Sequence, residues 1–356
     1  MRFRFKPTLT VSLILLLVAA ILIPVPYVMT SPGPVFNTIG SIDDTELISI
    51  SGTPTYPTEG ELDMTTVSEF GGPQEGLDIF QALWGWLNPN NRVIPREAIY
   101  PEGETEEENA AQNAEAFSTS QSYAIAAAMD YLDQPVIEKI VIISVGIDTP
   151  AQNNLRAGDE IVSVDSVVMN TPEQVVEAVR GKPIGSQLSF VVVRDDSQVT
   201  ALVTSAAREN DPDTTEDEST IPYIGIGLDI DYSANFDIEF GVTGVGGPSA
   251  GTMFAVGIID KLTPGALTKG KIIAGTGTID PDGTVGEIGG IQQKLIGARN
   301  AGAVLFLAPQ GNCQDVIGHI PEGLTVAAIE TLDDAVAAIE SFGAGEKVKS
   351  CLTPKS

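Results

Sequence analysis

The residues most able to do chemistry are a serine and a lysine, each at a glycine-rich turn before an apolar helical segment. Ser249 lies in Gly-Gly-Pro-Ser-Ala-Gly at residues 246–251, and Lys294 ends Gly-Gly-Ile-Gln-Gln-Lys at residues 289–294. A serine hydroxyl becomes a nucleophile when a nearby base takes its proton. A lysine can be that base if burial lowers its pKa toward the working pH. The pair therefore predicts a serine–lysine dyad for acyl transfer.

Histidine, the more common base for a serine nucleophile, occurs once in the chain, at position 319. His319 lies in Gly-His-Ile-Pro with no catalytic motif around it, and we interpret it as a loop residue. A lysine in the first turn of a helix also lies near the positive end of the helix dipole, which disfavours the ammonium form by about 0.3–1 kcal/mol. The sequence therefore favours Lys294 over His319 as the base.

The turn that carries Ser249 also predicts an oxyanion hole. Gly246 and Gly247 permit backbone conformations that other residues avoid, and Pro248 stiffens the turn. Backbone N–H groups near a helix start can stabilise a developing oxyanion. We expect the N–H groups of Gly247 and Ser249 to do this, with that of Ala250 as the weaker candidate. Taken alone, the Gly-Pro-Ser-Ala-Gly sequence fits an ordinary turn equally well, and the lysine segment tips the balance.

Composition excludes some classes of partner. The chain has 356 residues, enough for two or three domains, and its net charge of −29 would repel nucleic acid. Residues 265–272 have the Gly-x4-Gly-Lys spacing of a phosphate-binding loop, but Ile272 stands where a Mg²⁺-binding serine or threonine is needed. The acidic run at 104–108 is typical of a solvated helix start. We therefore predict no nucleic acid, no nucleotide, no cofactor and no metal.

The N-terminal residues predict a membrane anchor. Residues 9–23 contain no charged side chain, residues 24–29 extend the uncharged stretch, and Arg2, Arg4 and Lys6 precede it. About 20 apolar residues span a bilayer as a helix, and a basic flank stays in the cytoplasm. We predict a single-pass protein of the cell membrane with its remaining domains outside the cytoplasm. A cleaved signal peptide is the alternative.

Two further features depend on that location. Cys313 and Cys351 are able to pair in an oxidising compartment, and the loop closed would contribute about 4 kcal/mol; two unpaired thiols are the alternative. Residues 79–87 form a short amphipathic segment that holds both tryptophans. This segment either packs on its own domain, as is more common, or lies at the membrane interface, where indole rings favour the headgroup layer.

The rest of the chain divides by composition. Strand signals at 46–70, punctuated by prolines and Gly60, are followed by an alanine-rich helix over 110–132. Residues 208–220 are Asp, Glu, Pro, Ser and Thr rich and predict a linker. Alternating strand patterns over 221–240 then lead to the serine turn.

Residues 137–206 resemble a PDZ domain. A strand at 140–145 precedes the sequence Leu-Arg-Ala-Gly-Asp-Glu-Ile-Val-Ser-Val-Asp at 155–165, a helix opened by Thr171 and a closing strand at 188–194. PDZ domains bind an extended peptide by adding it to a sheet edge beside a helix. The resemblance implies a groove between 140–145 and 173–180, although a carboxylate loop of the Gly-Leu-Gly-Phe type is not evident. The residues expected to line it are Ile140, Val141, Ile142, Ile143, Val175 and Val179.

Residues 246–312 resemble the proteolytic domain of Lon-type serine proteases. Gly-Pro-Ser-Ala-Gly at 247–251 matches the family's nucleophile motif, and Gly-Gly-Ile-Gln-Gln-Lys-Leu at 289–295 matches its lysine motif. Thr-Gly-Thr-Ile at 276–279 is similar to a segment whose threonine helps hold the lysine, a role that the resemblance gives to Thr276. Residues 46–70 and the helix at 110–132 resemble the first strands and helix of the same domain. The PDZ module would then be an insertion.

With its anchor, the whole chain resembles the membrane-anchored, PDZ-containing Lon-like proteases of bacteria (the YlbL-like type). The resemblance implies a homo-oligomer, because Lon-type domains commonly form rings. ATP-dependent relatives often carry Lys-Asp before Gly-Pro-Ser, where this chain has Val245 and Gly246, so an acidic helper is absent. An ATPase module is absent too, which implies that substrates are flexible or already unfolded.

The predicted fold class is α+β: a Lon-type proteolytic domain interrupted by a PDZ domain, after one transmembrane helix. The predicted function is an ATP-independent serine endopeptidase that cleaves polypeptides outside the cytoplasmic membrane, with the PDZ domain selecting or gating substrate. One alternative is a proteolytically silent, membrane-tethered peptide-binding adaptor, and another is self-processing that releases the ectodomain.

The predicted boundaries are 1–29 for the cytoplasmic tip and anchor, 30–135 and 221–345 for the two parts of the proteolytic domain, 136–206 for the PDZ domain, 207–220 for the linker and 346–356 for the tail.

Overall fold

The computed structural model describes residue 11 and residues 24–101, 103–208 and 220–351, which form two compact units. The split unit comprises Met1–Pro135 and Phe236–Ser356, and the inserted unit comprises Val136–Asn235. The predicted transmembrane segment up to residue 23, apart from residue 11, and most of the predicted linker lie outside the described residues. Among the residues that are described, no helix is long and apolar enough to cross a membrane.

Helices and strands alternate irregularly along the chain, as in other α+β proteins. The described helices are α1 (Ile79–Leu87), α2 (Glu106–Tyr131), α3 (Pro172–Arg180), α4 (Gly251–Leu262), α5 (Ile291–Asn300), α6 (Cys313–Val316) and α7 (Leu332–Gly343), with 3-10 turns at Arg96–Ala98 and Gln310–Asn312. The described strands are β1 (Tyr27–Asn37), β2 (Ser41–Ile42), β3 (Thr45–Glu46), β4 (Ile48–Ser51), β5 (Glu61–Phe70), β6 (Arg92–Pro95), β7 (Ile137–Val145), β8 (Glu160–Val164), β9 (Val167–Val168), β10 (Gln187–Arg194), β11 (Ser197–Thr204), β12 (Ala206–Ala207), β13 (Pro222–Tyr223), β14 (Ile226–Ser233), β15 (Asp237–Phe240), β16 (Ile272–Gly275), β17 (Thr278–Ile279), β18 (Val285–Gly286), β19 (Leu305–Pro309) and β20 (Thr325–Ile329).

The split unit is built on a mixed sheet in the order β20-β19-β16-β5-β1-β6. The strands from β20 to β5 are parallel, β1 pairs antiparallel with β5, and β6 pairs antiparallel with β1. The central strand β19, Leu-Phe-Leu-Ala-Pro, is buried throughout, as expected for a parallel strand covered on both faces. Helix α5 packs on β1 and β5, while α4 packs on β5 and β16. The sheet therefore lies between the two helices that follow the glycine-rich turns.

Local sequence accounts for the long helix α2. Thr105 and Glu108 form a capping box at its start, and three glutamates occupy the first turn, where they favour the positive end of the dipole. Its C-terminal half supplies small buried residues, including Ala124, Ala127 and Ala128, and α2 packs there against α4. The predicted helix over 110–132 therefore agrees with the observed element to within a few residues.

The inserted unit is an antiparallel sheet in the order β11-β10-β8-β7-β14, with α3 packed on it. Its core contains Leu188, Phe190 and Val192, which alternate along β10 and are fully buried. Thr171 caps α3, whose Val175 and Val179 reach the same core. Period-two and helical patterns in this segment thus predict β7, β10 and α3, whereas β11 and β14 extend the sheet beyond the predicted closing strand.

Two predicted boundaries are wrong. The sequence pattern assigns β14 to the proteolytic part at 221–345, but this strand pairs along its whole length with β7 in the inserted unit. The same pattern assigns residues 27–29 to the anchor, but they begin β1, where Val28 is fully buried in the split unit. In both cases the pattern groups an apolar stretch with its neighbour in sequence, whereas strand pairing places it elsewhere.

Candidate active site

The hydroxyl of Ser249 and the amine of Lys294 lie within hydrogen-bond distance, with Oγ and Nζ 2.8 Å apart. Lys294 is 2% exposed and sits in the first turn of α5. Ser249 lies two residues before the start of α4. The two helix starts thus bring together the serine and lysine that the sequence predicts, and exposed His319 has no part in the pair.

Gly290 sets the start of α5. It has φ of 69° in the left-handed region and precedes the first residue of the helix. A Cβ added there would lie 2.7 Å from Cγ1 of Val67 on β5, so a larger residue fits neither the backbone conformation nor the space. This close approach holds the first turn of α5, and with it Lys294, against β5.

The lysine amine has three neighbours that accept hydrogen bonds in the charged state. Its Nζ lies 2.7 Å from the carbonyl oxygen of Thr65, 3.1 Å from Oγ1 of Thr276 and 2.8 Å from Oγ of Ser249. A carbonyl can only accept, and Thr276 uses its own proton elsewhere, so both must receive N–H bonds. In the neutral amine the two N–H bonds are used there, and the lone pair is left facing Ser249.

Burial lowers the pKa of Lys294 from 10.5 to about 7, with no charged neighbour contributing. The cause is loss of hydration, which penalises the ammonium form. A base with a pKa near 7 is neutral in a large fraction of molecules at physiological pH and still binds a proton readily. The lysine therefore has both the position and the proton affinity of a general base.

Thr276 connects the base to the nucleophile. Its Oγ1 donates to the carbonyl oxygen of Ser249 at 2.9 Å while it accepts from Lys294, and the residue is fully buried. The N–H of Gly277 donates to the same Ser249 carbonyl at 3.0 Å. The supporting position that the sequence predicts for Thr276 is therefore the position it occupies.

The predicted oxyanion donors require a correction. The N–H of Gly247 donates to the carbonyl oxygen of Asn113 on α2 at 2.9 Å, so it does not face a reacting group. Among the described residues, the N–H groups of Ser249 and Ala250 donate to no backbone carbonyl. The geometry leaves Ser249 and Ala250, one residue further along the chain, as the candidate donor pair.

Side chains fix the two peptide groups that carry these donors. Ser120 on α2 donates from its Oγ to the carbonyl oxygen of Pro248 at 3.1 Å, and Thr276 holds the carbonyl of Ser249. In a trans peptide the C=O and N–H point in opposite directions. The N–H groups of Ser249 and Ala250 consequently point away from the α2 and Thr276 sides of the turn. The sequence does not identify Ser120, because it lies in a serine-rich stretch of a helix far from the motifs.

The position of the missing acidic helper is closed by α2. A Cβ added to Gly246 would lie 2.9 Å from Cβ of Asn113, which leaves no room for an aspartate without a shift of the helix. The backbone of Asn113 instead holds the turn through its bond with Gly247. At the position where the resemblance leads to the expectation of an acidic residue, Gly246 is therefore packed closely against α2.

A second buried ionisable group lies on β5, two residues before Thr65. Asp63 is 2% exposed, and its Oδ2 has no protein hydrogen-bond partner. Burial raises the pKa of Asp63 from 3.8 to about 7, with a smaller contribution from the negative charge of Glu61. Sequence reasoning misses it; the one signal is an aspartate between the apolar residues Leu62 and Met64.

The inserted unit contains an apolar cavity of about 350 Å³ beside α3. One wall is formed by Val175, Val176 and Val179 of α3, and the opposite wall by Tyr223, Ile224, Gly225, Ile226 and Leu228. Strand β14 is the edge strand of its sheet within the described residues. Arg180 and Arg208 also line the cavity, which gives an otherwise acidic chain a basic margin there.

The predicted groove between 140–145 and 173–180 is therefore wrong on one side. Strand β7 pairs with β14 along one edge and with β8 along the other, so it has no free edge for a peptide. Ile140 and Ile142 are buried in the core, whereas Val141 and Ile143 are partly buried. The wall is supplied instead by 223–228, and the one signal for it is the uncharged Tyr-Ile-Gly-Ile sequence after the acidic linker.

The remaining predicted pair, Cys313 and Cys351, is joined by a disulfide bond. The bond lies in the core formed by α5, α6 and β19, and the carbonyl of Lys349 accepts from the N–H of Ala328 at 2.8 Å. The described residues of the predicted tail thus pack on the split unit. Within the described part of the chain, no cluster of His, Cys, Asp and Glu side chains has the arrangement of a metal site.

Comparison with known proteins identifies two kinds of domain. Residues 111–204 match the family model of the PDZ domain, and residues 231–340 match that of the Lon protease (S16) C-terminal proteolytic domain. The PDZ match begins within α2 and ends before β14, whereas the compact inserted unit spans Val136–Asn235. The predicted α+β class, with a PDZ domain and a Lon-type proteolytic domain, is confirmed at this level.

Individual relatives agree with the second match. Lon protease 1 of Bacillus subtilis is 32% identical over 129 residues, which cover 34% of this chain and 16% of that protein. Lon protease of Haemophilus influenzae is 33% identical over 141 residues, covering 37% of this chain and 17% of that protein. The matched segments thus span about one sixth of these relatives. The crystal structure of the PDZ domain of an SdrC-like protein from Listeria monocytogenes is 25% identical, covers 25% of this chain and 85% of that chain, and has a TM-score of 0.22.

Proposed function

We propose that the chain is a serine endopeptidase that uses Ser249 as nucleophile and Lys294 as general base. The observation that carries the proposal is the 2.8 Å separation of Ser249 Oγ from a buried lysine amine whose pKa is about 7. The match of residues 231–340 to a proteolytic domain supports peptide bonds as the target. Covalent catalysis requires a nucleophile and a base within hydrogen-bond distance of each other and a third group that orients the base.

The geometry gives each proton a path. Ser249 Oγ attacks the scissile carbonyl carbon while its proton passes to the lone pair of neutral Lys294. The tetrahedral intermediate collapses, the C–N bond breaks, and the lysine ammonium gives its proton to the leaving amine nitrogen. A water molecule then attacks the ester carbon, again losing its proton to Lys294. Collapse of the second intermediate restores the serine hydroxyl and releases a carboxylate product.

The amides of Ser249 and Ala250 would stabilise the oxyanion in both intermediates. Their peptide groups are held in place by Ser120, Thr276 and Gly277 before substrate binds. Preorganised donors of this kind require no rearrangement during the reaction, and losing one costs about 10²–10³ in kcat. Thr276 is therefore a positioning residue for both halves of the chemistry.

The inserted unit would bind an extended polypeptide between β14 and α3. An unpaired strand edge beside a helix is the arrangement for β-strand addition, and the apolar cavity would hold an alternate side chain. We expect Val176→Glu, which adds a charge to a 36% exposed position in this cavity, to weaken peptide binding measured by fluorescence anisotropy. Val168→Glu, at a 62% exposed position on β9, is the matched control and should bind as the parent does.

Location and energy source complete the proposal. The apolar residues 9–23 after a basic flank support an anchor in the cell membrane with the two units outside the cytoplasm, as in the YlbL-like type. The disulfide bond between Cys313 and Cys351 supports the same compartment. Substrates would be cleaved without ATP and would be flexible or unfolded, and a homo-oligomer is the proposed assembly.

The test is cleavage of an unstructured protein by the full chain in lipid nanodiscs. Ser249→Ala and Lys294→Ala should each abolish cleavage, while Ser118→Ala and Lys347→Ala, both at exposed positions, should retain it. Activity that survives in either dyad variant would exclude the dyad. If the parent protein does not cleave substrate but still binds peptide, a membrane-tethered adaptor is favoured. If the parent chain is shortened to a smaller mature mass and the Ser249→Ala chain is not, self-processing is favoured.

The pH dependence provides an independent test of Lys294. Because the base must be neutral, kcat/KM should rise about tenfold per pH unit below pH 7 and level off above it. The profile is measured with a short fluorogenic peptide, so that unfolding of a protein substrate does not contribute. A profile that is flat from pH 5 to pH 8 would contradict lysine as the base.

A further inference from the structure

Helix α1 buries its small residues and exposes its large apolar ones, which is the reverse of an ordinary surface helix. Its buried residues are Ala82 and Gly85. The large apolar side chains face outward: Ile79, Phe80, Leu83, Trp84, Trp86 and Leu87 are between 36% and 80% exposed. A surface helix normally turns its apolar stripe toward the core and its polar residues toward water. We define these six side chains as the exposed face of α1.

Close packing on the inner side maintains this orientation. A Cβ added to Gly85 would lie 2.5 Å from Cγ2 of Val93 and 2.8 Å from Sδ of Met29, so only glycine fits against β1 and β6. The ring of Trp86 makes an edge contact with Tyr27 at 5.4 Å between centroids. Asp78 and Gln81 form a capping box that fixes the first turn. Rotation to bury the outer residues would replace this packing with bulky side chains.

Charge around the helix differs from the rest of the chain. Residues 79–96 contain no aspartate or glutamate, although the chain carries 48 acidic residues, and they include Arg92 and Arg96. Aromatic residues with neighbouring basic side chains are typical of surfaces at the headgroup layer of a bilayer.

The position of the helix in the chain supports the same occupant. The apolar residues 9–23 end where the described structure resumes at Pro24. The backbones of Val25 and Leu77 pair through N–H···O distances of 2.7 and 3.2 Å, and Leu77 lies two residues before α1. Through this backbone pair, the start of α1 lies beside Val25, two residues after the end of the apolar segment.

We propose that the exposed face of α1 inserts into the interfacial layer of a lipid bilayer and holds the split unit against the membrane surface. The helix would lie in the plane of the interface, with its indole rings at headgroup depth and its aliphatic side chains among the upper acyl carbons. This binding does not depend on proteolysis, so it can stand or fail separately from the dyad.

The tryptophan content of the chain allows a direct test. Both tryptophans lie in α1, at 65% and 56% exposure, so intrinsic tryptophan fluorescence reports on this helix. The full chain is reconstituted in phosphatidylcholine nanodiscs whose lipids carry bromine, a short-range quencher, on upper acyl carbons. We expect loss of more than half of the emission relative to unbrominated lipid, and weaker quenching when bromine is near the acyl ends. Unchanged emission in both brominated lipids would overturn the proposal.

A matched pair of variants distinguishes insertion from proximity caused by the N-terminal segment. Leu87→Glu places a charge at the 80% exposed position of α1 and should restore much of the emission. Ile147→Glu makes the same change at a 73% exposed position of the inserted unit and should leave the quenching unchanged. Acrylamide, a water-soluble quencher, measures instead how far the tryptophans are exposed to water. If α1 is protected from acrylamide but not quenched by bromine, another protein surface covers it and the proposal is wrong.

Discussion

A buried carboxylate of the inserted unit is paired, whereas two buried ionisable groups of the split unit are not. In the inserted unit, Asp159 is 1% exposed and its two oxygens accept from Arg194 at 2.7 and 2.6 Å and from the N–H of Arg156 at 2.9 Å. In the split unit, Lys294 and Asp63 are equally buried, but neither has an oppositely charged partner that shifts its pKa.

This difference distinguishes a charge that stabilises the fold from an ionisable group that can take part in a reaction. A buried charge with a well-aligned partner stays ionised, and the pair fixes one arrangement of the chain. A buried charge without a partner is driven toward its neutral form, and its pKa moves toward neutral pH. Groups of the second kind can exchange protons during a reaction, and such groups cluster at functional sites. The dyad lies in the unit that contains these two unpaired groups, although Lys261 of the same unit is paired with Glu46 at 2.7 Å.

The largest effect is expected from breaking the paired charge. Arg194→Met leaves the Asp159 carboxylate buried with one backbone donor, and we expect the inserted unit to lose about 3–5 kcal/mol. Hydrogen exchange of the β8 and β10 amides in the full chain measures the loss. Lys139→Met, which removes the exposed ion pair with Glu160, is the control and should change stability by less than about 1 kcal/mol. Equal effects would remove the distinction between buried and exposed pairs.

Removing the unpaired lysine is expected to stabilise the split unit. The folded pKa of about 7 lies below the unfolded value of 10.5, so unfolding takes up a proton between these values. The cost of burying Lys294 is greatest below pH 7 and disappears above pH 10.5. Lys294→Met should therefore raise the free energy of unfolding by about 2–3 kcal/mol more at pH 6 than at pH 9. Denaturant titrations at the two pH values measure it, and destabilisation at pH 6 would contradict the lowered pKa.

Asp63→Asn should show the opposite pH dependence. The folded pKa of Asp63, about 7, lies above the unfolded value of 3.8, so its contribution to stability is present at low pH and is lost as the pH rises through 7. The variant should gain about 2–3 kcal/mol more at pH 8 than at pH 5. The same denaturant titrations test this, with Asp130→Asn, at an exposed position of α2, as the control. A gain of equal size at both pH values would show that the carboxyl group is not titrating.

The smallest effect is expected at the serine turn. Ser120→Ala removes the bond to the Pro248 carbonyl and loosens the peptide group that carries the Ser249 N–H. We expect kcat to fall about tenfold with KM unchanged, less than the loss of an oxyanion donor itself. Steady-state kinetics on a fluorogenic peptide give the two parameters. A rise in KM at constant kcat would place Ser120 in substrate binding instead.

Much of the site is predictable because its residues lie in short motifs. The serine, the lysine and Thr276 each stand at a turn beside a helix or strand, and the local pattern indicates their positions in these elements. The α2 and α3 helices agree with their predicted ranges to within a few residues, since caps and apolar periodicity act over one or two turns. Ser120, by contrast, reaches the serine turn only through packing of α2 on α4.

The errors have one cause, which is that strand pairing joins residues far apart in sequence. Position along the chain suggests that 223–228 belong with the serine turn and that 140–145 form the groove. Pairing of β14 with β7 reverses both assignments, because it covers the edge of β7 and leaves β14 exposed beside α3. Oxyanion donors depend in the same way on which peptide groups α2 and Thr276 hold.

Residue types and spacing alone determined that a serine and a lysine would be presented at two helix starts, and the resemblance of their motifs to known families indicated PDZ-type and Lon-type segments. Tertiary structure decided that the two side chains meet, that the lysine is buried and that its pKa falls to about 7. It also decided that α1 turns its tryptophans outward. The physical reason is that motifs specify local backbone geometry, whereas burial, proton affinity and exposed faces depend on which distant parts of the chain pack against each residue.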